Sequence, residues 1–420
     1  MMLSILLLIP LVGALLFLIL PSNLAPTRMR SIAIAVLVVQ LIWSLRLLFA
    51  FDPEISGMQL QESYSWVEKL GLRYELGIDG LSLPLVLLNA ALTLVAAVCT
   101  RELSERPRLY FALILLISCA VNGAFVANNL LFFLLFYELE LIPLWLLILI
   151  WGGAQRVYAA TKFLLFTALS GVLILAAFLG LALINGSVDF SLSPLITENI
   201  SMTSQLLLLG CLLVGFGIKI PLVPFHSWLP DAHTQASTPV SVLLAGVLLK
   251  LGTYGLLRFG LGMFPDAWAL LAPAMAIWAA ISLTGAVFQM VSHGLISALL
   301  FLLVGIVYRK TGTRDLEVLR GLLNPERGLP FTGTLMILGV MASAGLPGTA
   351  GFISEFLVFR GSIQTYPLAT LLSMVGSGLT AVYFLLLVNR AFFGRLAITP
   401  ADDPELHKRL DVQCQWVLAV

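Results

Sequence analysis

Charge is what this sequence lacks. Of its 420 residues only 11% are Asp, Glu, Lys or Arg, while 60% are hydrophobic; soluble domains carry about 25% charged residues. Mean hydropathy is +1.03. So little polar surface excludes a water-soluble fold at this length, and a bilayer takes the place of water as solvent. Each crossing then needs ~20 apolar residues. The apolar runs are continuous rather than alternating, which excludes a membrane β-barrel. A net charge of +1 excludes the basic footprint of a nucleic-acid partner. Cysteine is scarce too: Cys99, Cys119, Cys211 and Cys414 are scattered and form no CxxC pair, so they read as small apolar fillers. No phosphate-cradling glycine loop or redox-cluster spacing is present, so no cofactor is indicated. Met1 to Leu20 lacks the basic start of a signal peptide and reads as a first membrane helix.

What is present is a series of long apolar spans. They lie near 3–20, 30–50, 79–99, 109–126, 129–151, 158–184, 204–224, 238–262, 330–362 and 368–393, with an apolar stretch from Ala267 to Val307. Basic residues fall in alternate connections: Arg28 and Arg30; Arg101, Arg106 and Arg108; Arg156; Arg309 to Arg327; Arg390 and Arg395. The connections at 127–128 and 185–203 have neither Lys nor Arg. Basic loops stay on the cytoplasmic side, which puts the N-terminus outside. The loop 51–78 then lies outside, and its alternating Tyr64, Trp66, Leu72, Tyr74 and Leu76 predict a short hairpin. The Ala267–Val307 stretch fits poorly. As one helix at ~1.5 Å per residue it would measure ~60 Å, twice the hydrocarbon core. Something between Ile281 and Ser282 is missing from a regular pattern.

Against this background the buried ionisable groups stand out, because each costs several kcal/mol inside a membrane span and is a functional candidate on that ground. Glu138 sits mid-span in LLFFLLFYELELIPLW, Lys219 in GFGIKIPLVPF, Lys250 in VSVLLAGVLLKLGTYGLL and Glu355 in GTAGFISEFLVF. His293, in QMVSHGLISALLF, both accepts and donates a proton near neutral pH. A purely architectural ion pair accounts for one such residue. Acids, lysines and a histidine distributed over separate spans are what a proton relay requires, since each station gains and loses a proton under its neighbour's charge. Glu140, two residues after Glu138, points to a different face of a continuous helix, so it is an auxiliary candidate whose partner lies elsewhere.

Prolines and glycines flank two of these charges. Pro221 and Pro224 follow Lys219, with Pro230 and Pro239 beyond; Gly345, Pro347, Gly348 and Gly351 precede Glu355. Proline removes a backbone donor and breaks a helix. Ordinary kinks explain that pattern equally, but broken helices at membrane depth are tolerated where they line protein or water-filled space, and in transporters they mark the pathway. The loop HSWLPDAHTQASTP carries His226, Asp231 and His233. Two histidines seven apart around a proline make a poor metal site, so the loop is read as proton entry or as structural.

The segments GIDGLSLPLVLL, YELELIPLWLLILIWGG, GIKIPLVPFHSWLPDAHTQASTPVSVLLAGVLLKLGTYGLLRFG, QMVSHGLISALLFLLVGIVYRKTGTRDL and AGLPGTAGFISEFLVF resemble the antiporter-like membrane subunits of complex I, of the NuoM/NdhD type, nearly end to end. ELELIP, LRGLLNPERGLP and FISEFLVFRGS resemble the D subunits of cyanobacterial NAD(P)H dehydrogenase complexes, including carbon-dioxide-uptake variants. The resemblance implies an all-α integral membrane fold of about 14 transmembrane helices with two inverted repeats and two broken helices. The segments here would be 1–108, a first repeat 109–262, a second repeat 263–395 that is incomplete near 281/282, and 396–420, where VQCQWVLAV starts a last helix. The family carries a cytoplasmic loop, a helix and another relay histidine where Ile281 and Ser282 abut.

The resemblance further implies roles. Glu138 matches the buried glutamate that pairs with the lysine matched by Lys219; Lys250 is the central lysine, His293 a relay histidine and Glu355 the acid towards the exit. The implied activity is proton translocation within an NAD(P)H- or ferredoxin-dependent quinone oxidoreductase, with no redox chemistry or cofactor in this chain. The implied partners are F- and B-type antiporter-like neighbours, small helical subunits, the bilayer, quinone held by other subunits and a carbon-dioxide-hydrating subunit. The implied location is the thylakoid membrane, with the N-terminus luminal. A sodium/proton antiporter subunit and a membrane scaffold for carbon-dioxide uptake are the alternatives.

Overall fold

A computed structural model describes residues 1–21, 24–100, 105–186, 189–192, 200–276 and 283–397. Ile281, Ser282 and the segment 412–420 lie outside the described residues. Inside a bilayer every backbone N–H and C=O must be satisfied within the segment, so these apolar runs become helices. Among the described residues, ten helices are long and apolar enough to cross a membrane. The chain forms two compact units, Met1–Leu271 and Ala272–Val420.

The first unit begins with α1 (Met2–Ile19) and α2 (Pro26–Ala50), followed by β1 (Gln59–Val67) and β2 (Leu72–Ile78). These strands are the expected hairpin, antiparallel with Tyr64 opposite Tyr74. Helices α3 (Ser82–Cys99) and α4 (Pro107–Val126) follow; α4 packs against both α1 and α3. Buried amides tie this group together: Gln40 Nε2 donates to Ser118 Oγ at 2.8 Å, and Asn89 Nδ2 to Asn122 Oδ1 at 2.8 Å.

The expected single span at 129–151 is interrupted. It consists of α5 (Leu130–Leu139) and α6 (Leu141–Trp151), with Glu140 in the break. Pro143 supplies the reason: it has no N–H to offer the carbonyl of Leu139, four residues earlier, and its ring crowds that position. Helix α7 (Arg156–Asn185) packs against α6 and α8 (Met202–Lys219). The expected span 204–224 likewise stops at Lys219, ahead of Pro221 and Pro224, and resumes as α9 (Trp228–Gln235). Trp228 is buried across the break and donates its indole N–H to the Ile218 carbonyl at 2.9 Å, one of the orphan acceptors at the α8 terminus.

The span 238–261 is helical throughout but not uniformly α. It runs as α10 (Thr238–Leu243), a π turn (Leu244–Leu248), α11 (Leu249–Gly255) and a second π turn (Leu256–Leu261).

Hydrogen bonds sort the connections of this unit to two ends. At one end the hairpin meets the loops without basic residues: Asn128 N donates to Glu75 O at 2.8 Å, Asn129 Nδ2 to Gly71 O at 3.1 Å, and Leu130 N to Phe190 O at 2.8 Å. At the other end Arg108 Nη2 donates to Leu18 O at 2.6 Å, Trp151 Nε1 to Glu105 O at 2.9 Å, and Gly153 N to Gln235 O at 2.8 Å.

The second unit contains α12 (Pro265–Ala276) only in part, then α13 (Leu283–Thr311), α14 (Pro330–Ser343), α15 (Ala350–Ser362) and α16 (Pro367–Phe392). Among the described residues the Ala267–Val307 stretch carries two helices, α12 and α13. The expected break in 330–362 separates α14 from α15 at 344–349. Leu303, Val307, Leu322, Met336, Val340 and Phe392 form the core.

Candidate functional site

The first unit gathers its buried charges around the two broken helices. Lys219, at the last position of α8, is 1% exposed, and its ammonium forms an ion pair with the Glu140 carboxylate, itself fully buried. The expected partner was Glu138. The correction follows from the break: Glu140 lies in the turn between α5 and α6, where the face rule of a continuous helix does not apply. Glu138 still belongs to the cluster, within electrostatic reach of both Lys219 and Glu140. Its carboxylate rests against Gly171 of α7, where a Cβ would collide with it.

Aromatic and hydroxyl groups frame the pair. The ring of Tyr137 lies 4.5 Å from Lys219 Nζ, a cation–π contact that holds the ammonium in an apolar setting. Tyr137 and Ser170 hydroxyls lie 2.8 Å apart, and Ser170 donates to the Gly215 carbonyl at 2.7 Å, linking α5, α7 and α8.

Lys250 is 3% exposed on α11, and its ammonium donates to the Ala245 carbonyl at 2.6 Å. Ala245 lies in the π turn Leu244–Leu248. Such single π turns are frequent at functional sites because they disturb the regular backbone ladder. Eight residues on, Arg258 reaches out of the second π turn to Asp79, with both nitrogen–oxygen contacts at 2.7 Å. This bidentate pair fixes the Lys250 helix to the β2–α3 connection. Sequence reasoning passed over both Asp79 and Arg258, although the GIDG motif and an arginine inside an apolar span were visible.

The loop residues lie at the basic end. His226 is exposed in a short 3-10 turn, Phe225–Ser227. Asp231 and His233 are half-buried on α9. Asp231 pairs with Lys162 of α7 at 2.7 Å, a contact the sequence did not disclose.

The second unit holds His293 and Glu355. His293 is exposed on α13. Glu355 is half-buried on α15, and Ser377 of α16 donates to its Oε2 at 2.8 Å. Gly345, in the helix break, has φ +68, and a Cβ there would stand 2.5 Å from Glu355 Oε2. The break thus brings bare backbone against the carboxylate.

Among known proteins, residues 127–281 and 267–380 match the family described as NADH:quinone oxidoreductase/Mrp antiporter, TM. NAD(P)H-quinone oxidoreductase chain 4 2 of Thermosynechococcus vestitus is 38% identical over 94% of this chain and 82% of its own. NAD(P)H-quinone oxidoreductase chain 4 1 of Synechococcus sp. (strain JA-2-3B'a(2-13)) is 38% identical over 85% of this chain and 75% of its own. A chain in the structure of respiratory complex I from Thermus thermophilus with bound NADH superposes with a TM-score of 0.83. It is 26% identical, over 98% of this chain and 93% of that one. A chain of an archaeal membrane-bound sulfane sulfur reductase shares the fold, with a TM-score of 0.78 over 94% of this chain and 71% of that one. With its family match over most of its length and relatives at this identity, the chain belongs to the NADH:quinone oxidoreductase/Mrp antiporter transmembrane family.

Proposed function

We propose that this chain is a proton-translocating membrane subunit of an NAD(P)H-quinone oxidoreductase complex, of the chain 4 type. The observation that carries the reading is the ion pair of Lys219 with Glu140, sealed inside an apolar bundle at a broken helix. A buried pair of this kind adds little net stability, because desolvation offsets its attraction. Its persistence at a helix break is better accounted for by proton handling.

Each group has a part. Lys219 with its carboxylates forms the first station. Lys250, on its carbonyl anchor, is the second; His293 and Glu355 continue the row. Lys162 and Asp231, with His233 on the same short helix, form the approach from the basic end. Protonation of one station changes the electrostatic energy of the next, so protons advance in sequence. Electron transfer and quinone binding belong to other subunits, the neighbours in the membrane include further antiporter-like subunits, and the membrane is a cyanobacterial thylakoid with the N-terminus luminal.

The test is Lys219→Ala in the complex reconstituted into vesicles, with lumen acidification followed by a pH-sensitive dye during quinone reduction. Acidification should fall to near background while uncoupled quinone reduction and assembly persist. Wild-type acidification would refute the reading.

A further inference from the structure

The Lys219 cluster holds one more acid than it has cations. Glu140 and Lys219 neutralise each other, but Glu138, half-buried, stands within electrostatic reach of both. Glu138 Oε1 and Glu140 Oε2 are both buried with no hydrogen-bond partner among the described residues. Among the described residues Lys219 is the cation that acts on either acid, and the neighbouring Tyr137, Ser170 and Gly215 carbonyl are neutral. Two carboxylates and one ammonium would leave a net negative charge in a medium that penalises it heavily. The cluster reaches neutrality when one carboxyl carries a proton, as in other carboxylate dyads that share a site.

We propose that Glu138 and Glu140 share one proton beside Lys219, and that Glu140 is therefore a second proton-handling carboxylate that lets the lysine change partner. The inference rests on the proposed function above and adds a residue and a step to it. In the arrangement seen, the ammonium bonds to the Glu140 carboxylate; the shared proton is assigned there to Glu138. In the step, the O–H bond of Glu138 breaks and one forms on Glu140, directly or through a water molecule. The ammonium keeps its three protons and turns from the neutral Glu140 to the anionic Glu138. No electrons are exchanged, and the cluster stays neutral throughout. What changes is the position of the positive charge, which is the quantity a neighbouring station senses.

The ELE spacing makes the exchange possible. In an unbroken helix, residues two apart face away from each other. The turn at Glu140, forced by Pro143, brings both acids to one lysine.

Infrared difference spectroscopy of the purified complex, combined with vesicle pumping, tests this. Wild type minus Glu138→Gln should show a protonated-carboxyl carbonyl band that shifts in heavy water. Glu140→Gln should lose the same band, because Lys219 alone then neutralises Glu138. Pumping by Glu140→Gln should fall about a hundredfold, the low end for a lost proton-transfer group, and Glu140→Asp should restore most of it. A band that survives in Glu140→Gln means that the proton belongs to Glu138 alone, which overturns the proposal. Full pumping by assembled Glu140→Gln, with Lys219→Ala inactive, overturns it as well and leaves the proposed function standing. Full pumping by Lys219→Ala would instead remove the proposed function on which it rests.

Discussion

At the scale of single residues, two glycines serve carboxylates. Gly171 is small so that Glu138 can lie against α7. Gly171→Ala should therefore displace Glu138 from the Lys219 cluster at a cost of about 1–3 kcal/mol, typical of overpacking. Pumping in vesicles should drop several-fold while the complex still assembles on native gels. Unchanged pumping would mean that the position of Glu138 is not critical. Gly345 meets a double constraint, a left-handed backbone and a close carboxylate. The sequence disclosed the glycines before Glu355 but gave no sign of Gly171, since a glycine on a long apolar helix looks the same whether it faces lipid or a buried acid. Lys219 and Lys250 were legible because an ammonium within an apolar run is costly wherever the run folds. Their partners were not, because partners depend on helix packing.

At the scale of elements, the breaks decide which charges meet. Those beside Lys219 and Glu355 were readable from proline and glycine. That at Glu140 was missed because a single proline three residues on reads equally as a kink, and the face of Glu140 was then judged as on a continuous helix. The π turns that flank Lys250 left no trace in composition, since one extra residue per turn changes no residue type. Their anchor is the Asp79–Arg258 pair. Arg258→Leu should strand Asp79 without its partner and cost about 3–5 kcal/mol, as for other broken buried pairs, seen as a lower unfolding temperature of the complex. Asp79→Asn combined with Arg258→Leu should recover much of that loss, as a coupled pair requires.

The hairpin is tied to α1 by a charge of its own. Glu62 accepts from the backbone N–H of Leu3 at 2.8 Å and of Ser4 at 3.2 Å, and from the Ser4 hydroxyl, so it caps the α1 N-terminus. Burial pushes its carboxyl up, but the Ser4 hydroxyl, the Met1 ammonium 2.9 Å away and these backbone donors outweigh burial and hold it below its ordinary value. A carboxyl held low in the folded state stabilises fully above its unfolded value, about 4.3, and stops doing so as pH falls through the folded value. Glu62→Gln should therefore lower the unfolding temperature at neutral pH by the equivalent of about 1 kcal/mol for a lost cap. The gap to wild type should close in acid. A gap that persisted or widened as pH fell would contradict this account.

At the scale of the whole molecule, the basic residues and the hydrogen bonds agree. Arg108, Trp151, Gly153 and Gln235 join connections at one end of the first unit, and the hairpin joins 127–129 and 189–192 at the other. The sequence sorted the same loops by Lys and Arg content alone. Electrostatics retains basic loops in the cytoplasm, so the end bearing Arg108 and Arg156 should face it and the hairpin should face the opposite compartment. The proposed pathway would then have a direction in the first unit, because Lys162 and Asp231 lie at the basic end, while Lys219 and Lys250 lie buried within the bundle. A cysteine at Ser65, on the hairpin, and one at Ala154, between α6 and α7, provide the check in a background whose native cysteines are replaced by serine or alanine. In sealed right-side-out vesicles an impermeant maleimide should label Ser65→Cys and spare Ala154→Cys, and inverted vesicles should reverse the result. Labelling of both from one face would break the two-ended arrangement. Labelling with the faces exchanged would keep the arrangement but invert the direction in which Asp231 admits protons.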